Sequence, residues 1–459
     1  QSTSLFIFLD GCPLSFILAS PPYSCAHSCS RTHRHGACVM SLAATVHAHA
    51  PCVGVGPRSR CRTTTRWHPA PPMSSRHHRP RLSFASASLP PTSVYTDGSY
   101  LVTGGLGFIG SHLCERLLSY GAHVVAVDNL DAFGPYPVHF KEANLEVLEE
   151  CAEENKNIGA LLTFVRADVS DQKQIRKLFD TCDTSNVKNI TRVCHLSARS
   201  GIAASFDDVA GAVVSNVAST ASLLAVASEF GVESFVLGSS GSVYGDNAMG
   251  VMDSNVPIAS IETDSTDTPM SPYAASKRAA ELFAYSFWRN NQNVLKRVTV
   301  CRIFTVYGPR GRPDMAVFRF IHSCQNGTTL FRFGDGKSTW RDYAHVADVA
   351  DGLLRAMHRG NEDELEEKKP SDGFCIVNVA SGVPTRLREV IDCVTSACGG
   401  DPINVEERPG RPGDVGGTFA DVSRAEEVLG WRPRVEFEDG IKETAAWYES
   451  NESKAWREP

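Results

Sequence analysis

The sequence predicts an α/β protein: a doubly wound parallel sheet filling most of residues 97–307, then a smaller C-terminal α/β part at 308–459 interleaved with it. Two observations carry this reading. Short β-branched runs alternate with amphipathic stretches, the pattern of strands covered by helices on both faces. A glycine-rich turn, GGLGFIG, joins the first run to the first such stretch.

Residues 1–96 stand outside that rhythm. They hold nine Arg, no Lys and one acid, Asp10, with six of the 15 Cys and eight of the 15 His. No helical or strand period persists between Gln1 and Pro91, so this leader is expected to be disordered. Its Arg- and Ser-rich, acid-poor composition is that of an organelle transit peptide, with Met40 and Met73 as candidate starts. The plastid is the expected compartment, with cytoplasm or Golgi as alternatives. With −7 overall and +8 in the leader, the remaining chain carries −15, which argues against nucleic acid as a partner. No window offers the roughly 20 uninterrupted apolar residues of a transmembrane span. The best, 5–18, is broken by Asp10, Gly11 and Pro13. The cysteines lack paired metal-ligand spacing, so no metal is expected, and the nine in the body read as reduced core thiols.

From Ser99 the runs SYLVTG, HVVAVD, LTFVRAD, RVCHLSA, SFVLGSS, RVTVCRIF and FCIVNVAS read as strands. Stretches at 111–120, 171–179, 217–230, 274–289 and 345–358 read as the helices between them. After Gly308 the Gly/Pro-rich segments GPRGRPDM and RPGRPGDVGG loosen the rhythm, and acidic 361–369 reads as a solvated loop.

The turn after the first strand carries Gly104, Gly107, Phe108, Ile109 and Gly110. Glycines so spaced let the backbone turn tightly and approach a pyrophosphate seated on a helix N-terminus, the signature of a Rossmann-type dinucleotide site. The second strand ends in Asp128, at the distance where a carboxylate takes both ribose hydroxyls and repels a 2′-phosphate. The next cation along the chain is Lys141, so NAD is expected rather than NADP. Asp168 and Val169, after the third strand, fall at the adenine edge, where an Asp is also a common helix N-cap.

Tyr273 and Lys277, in SPYAASK, are one helical turn apart. A phenol titrates near pH 10, and a neighbouring ammonium lowers that value enough to make it a base. Upstream, Ser240 and Ser242 follow the strand SFVLG and fall at the C-terminal sheet edge, where doubly wound folds bind ligands.

In this order, glycine turn, strand-end serine and Tyr/Lys pair resemble the extended short-chain dehydrogenase/reductase family of NAD-dependent sugar-nucleotide epimerases and dehydratases. The resemblance runs from about Tyr100 to Tyr448. It implies Tyr273 as catalytic base, Lys277 as its activator and Ser240 as hydroxyl partner, with Ser242 the alternative. It also implies a homodimer through the helices after Asn216 and before Lys277. Members that dehydrate or decarboxylate their sugar resemble Thr-Asp-Glu or Thr-Ser-Glu at the Ser240 loop. Here Gly241 and Ser242 supply no carboxyl group, which favours epimerisation.

The stretch RIFTVYGPRGRPDM, 302–315, resembles the F-T-V-Y-G-P-x-G-R-P-D-M signature of UDP-glucuronate 4-epimerases, where galactose-type epimerases resemble F-N-P. By that resemblance Thr305 and Arg312 contact a sugar carboxylate, which a guanidinium can hold bidentately. Arg341 and Arg411 would grip the diphosphate of a UDP-sugar, and Asn216 would touch substrate or steady the active-site backbone. The activity implied is conversion of UDP-glucuronate to UDP-galacturonate through a transient 4-keto sugar. The alternatives are a UDP-glucose or other neutral-sugar 4-epimerase and a non-catalytic NAD-binding protein. Two departures from the family stand out: the long segment 247–268, and Arg199 with Ser200 after the fourth strand.

Overall fold

The computed structural model describes residues 5–7, 98–131, 134–184, 189–246, 258–333, 339–359, 373–400, 404–410, 413 and 415–457. Most of the leader, with its expected disorder and transit character, lies outside the described residues, as do Arg411, acidic 361–369 and positions 247–257 of the long segment.

The strands are β1 (Leu5–Ile7), β2 (Ser99–Thr103), β3 (His123–Asp128), β4 (Leu161–Arg166), β5 (Ile190–His195), β6 (Ser234–Ser240), β7 (Arg297–Ile303), β8 (Thr305–Tyr307), β9 (Leu330–Phe333), β10 (Trp340–His345), β11 (Phe374–Val379), β12 (Pro384–Arg386) and β13 (Val405–Arg408). The main sheet has the order β1-β4-β3-β2-β5-β6-β7-β11. Every pairing in it is parallel. The seven expected runs supply β2–β7 and β11, so the C-terminal part returns one strand to the sheet. The leader contributes an unexpected edge, β1 on β4, because three residues are too few to show a period. Two smaller sheets, β12-β10-β8 and β13-β9, complete the described strands.

The helices are α1 (Phe108–Ser119), α2 (Val138–Glu154), α3 (Gln172–Thr184), α4 (Ala204–Asp207), α5 (Val209–Val213), α6 (Ser219–Glu229), α7 (Pro272–Asn290), α8 (Ala316–Asn326), α9 (Val346–His358), α10 (Leu387–Ala397), α11 (Ser423–Leu429), α12 (Phe437–Glu449) and α13 (Lys454–Arg457). Strand alternation splits the core. Tyr100 and Val102 face a cluster with Leu113, Leu117, Val349 and Leu353, from α1 and α9. Leu101 faces one with Ile175, Leu178, Leu223, Leu224 and Ala280, from α3, α6 and α7. The first cluster runs on through Tyr307, Tyr343, Val390 and Ile441, which joins the C-terminal elements to the sheet.

Helix α2 was not foreseen. Its buried stripe is Phe140, Asn144, Leu148 and Cys151, and a polar residue in the second place hides the helical period. Among the described residues one helical run, Val209–Glu229, is long and apolar enough by length and composition to cross a membrane. Scattered Ser, Thr and Asn had kept it from reading as an uninterrupted apolar window. It forms the crossover between β5 and β6, with Leu223, Leu224, Val226 and Ala227 buried against the sheet.

Candidate active site

A cavity of about 760 Å³ opens along the C-terminal ends of β2–β7. Every candidate residue within the described chain lies on its wall except Asn216, and Ser242 lies there too.

The cofactor end is made of backbone. Gly104 takes φ of +67°, which favours glycine. A Cβ on Gly110 would collide with the Gly104 carbonyl oxygen, and one on Gly105 would come within 2.9 Å of Ala126 Cβ. Gly107 caps α1 with no side-chain hydrogen bond, leaving the first-turn amides open to an anion. That cradle fits a dinucleotide diphosphate. Asp128 is buried at the end of β3 and accepts from Leu130 N at 3.0 Å. Lys141 is thirteen residues on, yet α2 brings its Nζ to 2.9 Å from Asp128 Oδ1. The carboxylate therefore has a cation beside it, which counting along the chain did not foresee. Val169 is buried, and Asp168 is exposed and accepts from Ser170 N and Oγ at 2.8 and 2.7 Å, a local turn before α3.

At the middle of the groove stands α7. Ser271 caps it, accepting from Ala274 N at 3.1 Å, and Pro272 opens the first turn. The Tyr273 phenol shares the wall with Ser240. Ser242 stands behind, donating to Ser240 Oγ from its own Oγ at 2.9 Å and from its N–H at 3.2 Å. Enclosure pushes the phenol above its ordinary value of 10, while the Ser240 hydroxyl and the Arg312 guanidinium pull it down. Lys277 is buried and donates to the Gly238 carbonyl at 2.7 Å. Burial lowers it to about 8, against the pull of Glu281. His195, beneath the site, accepts or donates at Thr103 Oγ1 (2.7 Å) and Thr220 Oγ1 (3.1 Å), and burial holds it neutral, at about 3.

The sugar end is made of long side chains. Thr305 opens β8. Arg312 donates to Asp314 through Nε at 3.0 Å and Nη2 at 2.7 Å, and to Ser200 Oγ at 2.8 Å. Arg341 donates to the Trp340 carbonyl at 2.7 Å. Asn216 lies behind the wall, in a π turn (Val214–Ala218), and its amide is spent on the chain: Oδ1 accepts Arg199 N at 2.8 Å, and Nδ2 donates to Arg199 O at 3.1 Å and Ser276 Oγ at 2.8 Å. Its place is to hold the backbone after β5. Sequence reasoning missed the groups around these side chains, Asp314 and Ser200 bonded to Arg312 and the Glu281 charge felt by Lys277. Only the i+4 spacing of Lys277 and Glu281 could have flagged one of them.

A glycine cradle, a strand-end serine on one wall with a phenol and a lysine one turn on define a short-chain dehydrogenase/reductase of the extended, sugar-nucleotide type. The family model described as GDP-mannose 4,6 dehydratase matches residues 101–444, and this chain belongs to that family. It is 34% identical over 355 residues to the UDP-glucuronate 4-epimerase of Thermodesulfobacterium geofontis, covering 77% of this chain and 97% of the relative. It is 30% identical over 365 residues to a probable UDP-glucuronate 4-epimerase of Rhizobium meliloti, covering 78% and 98%. Among solved structures it is similar to the UDP-glucuronic acid 4-epimerase of Bacillus cereus in complex with UDP-glucuronic acid and NAD. The TM-score is 0.61 at 29% identity, over 76% of this chain and 98% of that one.

Proposed function

We propose that this chain is an NAD-dependent 4-epimerase converting UDP-glucuronate to UDP-galacturonate. The observation that carries the reading is the meeting, on one wall, of the Tyr273 phenol and Ser240 with Arg312. NAD, when bound along the glycine cradle with Asp128 at its ribose, supplies the hydride acceptor and donor for C4 of the sugar. Tyr273 takes the 4-hydroxyl proton as that alcohol becomes a ketone, and returns it on reduction from the opposite face. Ser240 donates to the same oxygen, freed for this by the hydrogen bonds it accepts from Ser242. Lys277 supplies a buried positive charge one turn from the base.

The 4-keto intermediate is a β-keto acid, prone to lose CO₂. Arg312 and Thr305 hold its carboxylate, and Gly241 and Ser242 offer no acid or base for chemistry at C5 or C6. Incubation of the purified protein with UDP-glucuronate tests the reading. UDP-galacturonate is the expected product; a UDP-pentose, or no turnover, would overturn it.

The helices beside the site support a homodimer. Val209, Val213 and Val214 on one run, and Leu282, Phe283 and Tyr285 on α7, are large apolar side chains left exposed. Light scattering should show Val213→Asp as a monomer and the parent chain as a dimer. The Arg- and Ser-rich composition of the leader supports a plastid transit peptide. Mass spectrometry of the mature N-terminus checks it.

A further inference from the structure

We propose that Arg199 is a cofactor-retaining strap, tying the loop after β3 to α5 across the glycine cradle so that the dinucleotide diphosphate lies beneath its guanidinium. The inference rests on the NAD reading above. Its first support is topological. In the main sheet β2 lies between β3 and β5, and β2 carries the cradle. Asp131 stands just past the end of β3 and Arg199 just past the end of β5, and both line the cavity. Adjacent strands are about 4.8 Å apart, so a contact between these two loops has to pass over the turn at the end of β2. Arg199 Nη2 and Asp131 Oδ2 make that contact, 3.5 Å apart.

The other end of the guanidinium is fixed as well. Arg199 Nη1 donates to Asp208, the N-cap of α5. Gly211 makes room for this pair, because a Cβ there would collide with both the guanidinium and the Asp208 carboxylate. The guanidinium is therefore anchored on two carboxylates from opposite flanks of the cradle.

Both supporting loops are rigidly specified. Asn216 clamps the Arg199 backbone at its N–H and its carbonyl, and reaches Ser276, the neighbour of Lys277. Across the groove, Leu130 sits at φ of +55°, a conformation uncommon outside glycine. The turn around it is held by Leu130 N to Asp128 Oδ1 at 3.0 Å, Asp131 N to Asn129 Oδ1 at 2.9 Å and Lys141 Nζ to Asp131 O at 3.4 Å. The backbone stays put, and opening the strap needs only side-chain motion. A guanidinium held there brings a permanent positive charge to the cradle. An enzyme that reduces its own cofactor again in every cycle gains from slow cofactor release.

The strap is partly open to solvent: the side chains of Arg199 and Asp131 are 29% and 25% exposed. Salt should therefore weaken it. The test measures the rate at which NAD leaves the loaded protein, by displacement at low and high NaCl, in the parent chain and in Arg199→Ala, Arg199→Lys and Asp131→Asn. At low salt Arg199→Ala should release NAD about fivefold faster, the size of a partly exposed ion-pair network. Arg199→Lys should recover part of the retention, and Asp131→Asn should lie between. High salt should speed release from the parent chain and leave Arg199→Ala nearly unchanged. Equal rates and equal salt response in parent and variants would overturn the strap while leaving the cofactor reading intact. A parent chain that retains no NAD would overturn both.

Discussion

The two ends of the groove recognise their ligands by different means. The cofactor end is one contiguous turn, 104–110, in which recognition is a matter of missing side chains and open amides, with Asp128 at the next strand end. Nothing there has to move. The sugar end draws long side chains from separate loops, and those chains are already engaged: Arg312 by Asp314 and Ser200, Arg341 by the Trp340 carbonyl. A ligand at the first end meets a preorganised surface. At the second it must exchange one set of hydrogen bonds for another, which makes affinity there a difference between two charged contacts.

The largest effect should come where the two ends meet. Tyr273→Phe removes the only proton acceptor we assign to the 4-hydroxyl, and turnover should fall about a thousandfold or more. NAD binding should persist, because the ring itself is retained. Loss of NAD binding along with turnover would mean that the phenol belongs to the cofactor end instead.

Gly110→Ala tests the preorganised end alone. Its Cβ would meet the Gly104 carbonyl oxygen, backbone against backbone, so the cradle has to open. NAD affinity should drop about a hundredfold, with a stability loss of about 1–3 kcal/mol from the forced shift. Calorimetric titration and thermal melting would separate the two. Normal NAD affinity would show that the turn tolerates displacement and that preorganisation is not its source of affinity.

The same contrast explains what the sequence disclosed. The strands of the sheet and the glycine cradle are contiguous patterns, so alternation and spacing reveal them without tertiary knowledge. Lys141 is instructive in the other direction: it is distant from Asp128 along the chain, and only the turn into α2, a helix masked by Asn144 in its apolar stripe, brings the two together. Asn216 was legible, by resemblance, as a residue that touches substrate or steadies the active-site backbone, but that its amide serves Arg199 in particular depends on a π turn that no local pattern announces. The motif around Arg312 was read from resemblance, while Ser200 comes from a loop 112 positions away and Asp314 from the motif itself. A partner such as Ser200 is a property of three-dimensional juxtaposition, and counting residues does not yield it.

At the exchangeable end, Arg312→Ala should lower kcat/KM for UDP-glucuronate about ten- to a hundredfold, the range expected for losing a hydrogen bond to a charged group. It should leave UDP-glucose, which has no carboxylate, much less affected. Asp314→Asn is the sharper probe. It removes the carboxylate that competes with the substrate for the guanidinium, so the KM for UDP-glucuronate should fall a few-fold. A rise in KM would mean that Asp314 orients Arg312, and the sugar end would then be as preorganised as the cofactor end.

The smallest effect concerns the charge shared between the ends. Lys277 is lowered from 10.5 to about 8 by burial, with Glu281 pushing the other way. Glu281 is itself held by Ser239 Oγ at 2.6 Å, by Arg302 at 3.0 and 2.9 Å and by Arg278 at 3.0 Å. The base needs the ammonium, so activity should decline as pH rises through about 8. Stability should move the other way. Between about 8 and 10 the unfolded chain still holds the lysine proton that the folded chain has lost, and stability gains with pH in that window. His195, whose imidazole also feels Lys277, stays neutral throughout and contributes to neither slope. Glu281→Gln keeps the shape and removes the charge, so the alkaline limb of kcat should shift to lower pH, with activity about two- to threefold down at pH 8 and little changed at pH 6. A uniform loss at both pH values would assign Glu281 to packing alone, and Lys277 would then owe its charge to the groove and not to the helix that carries it.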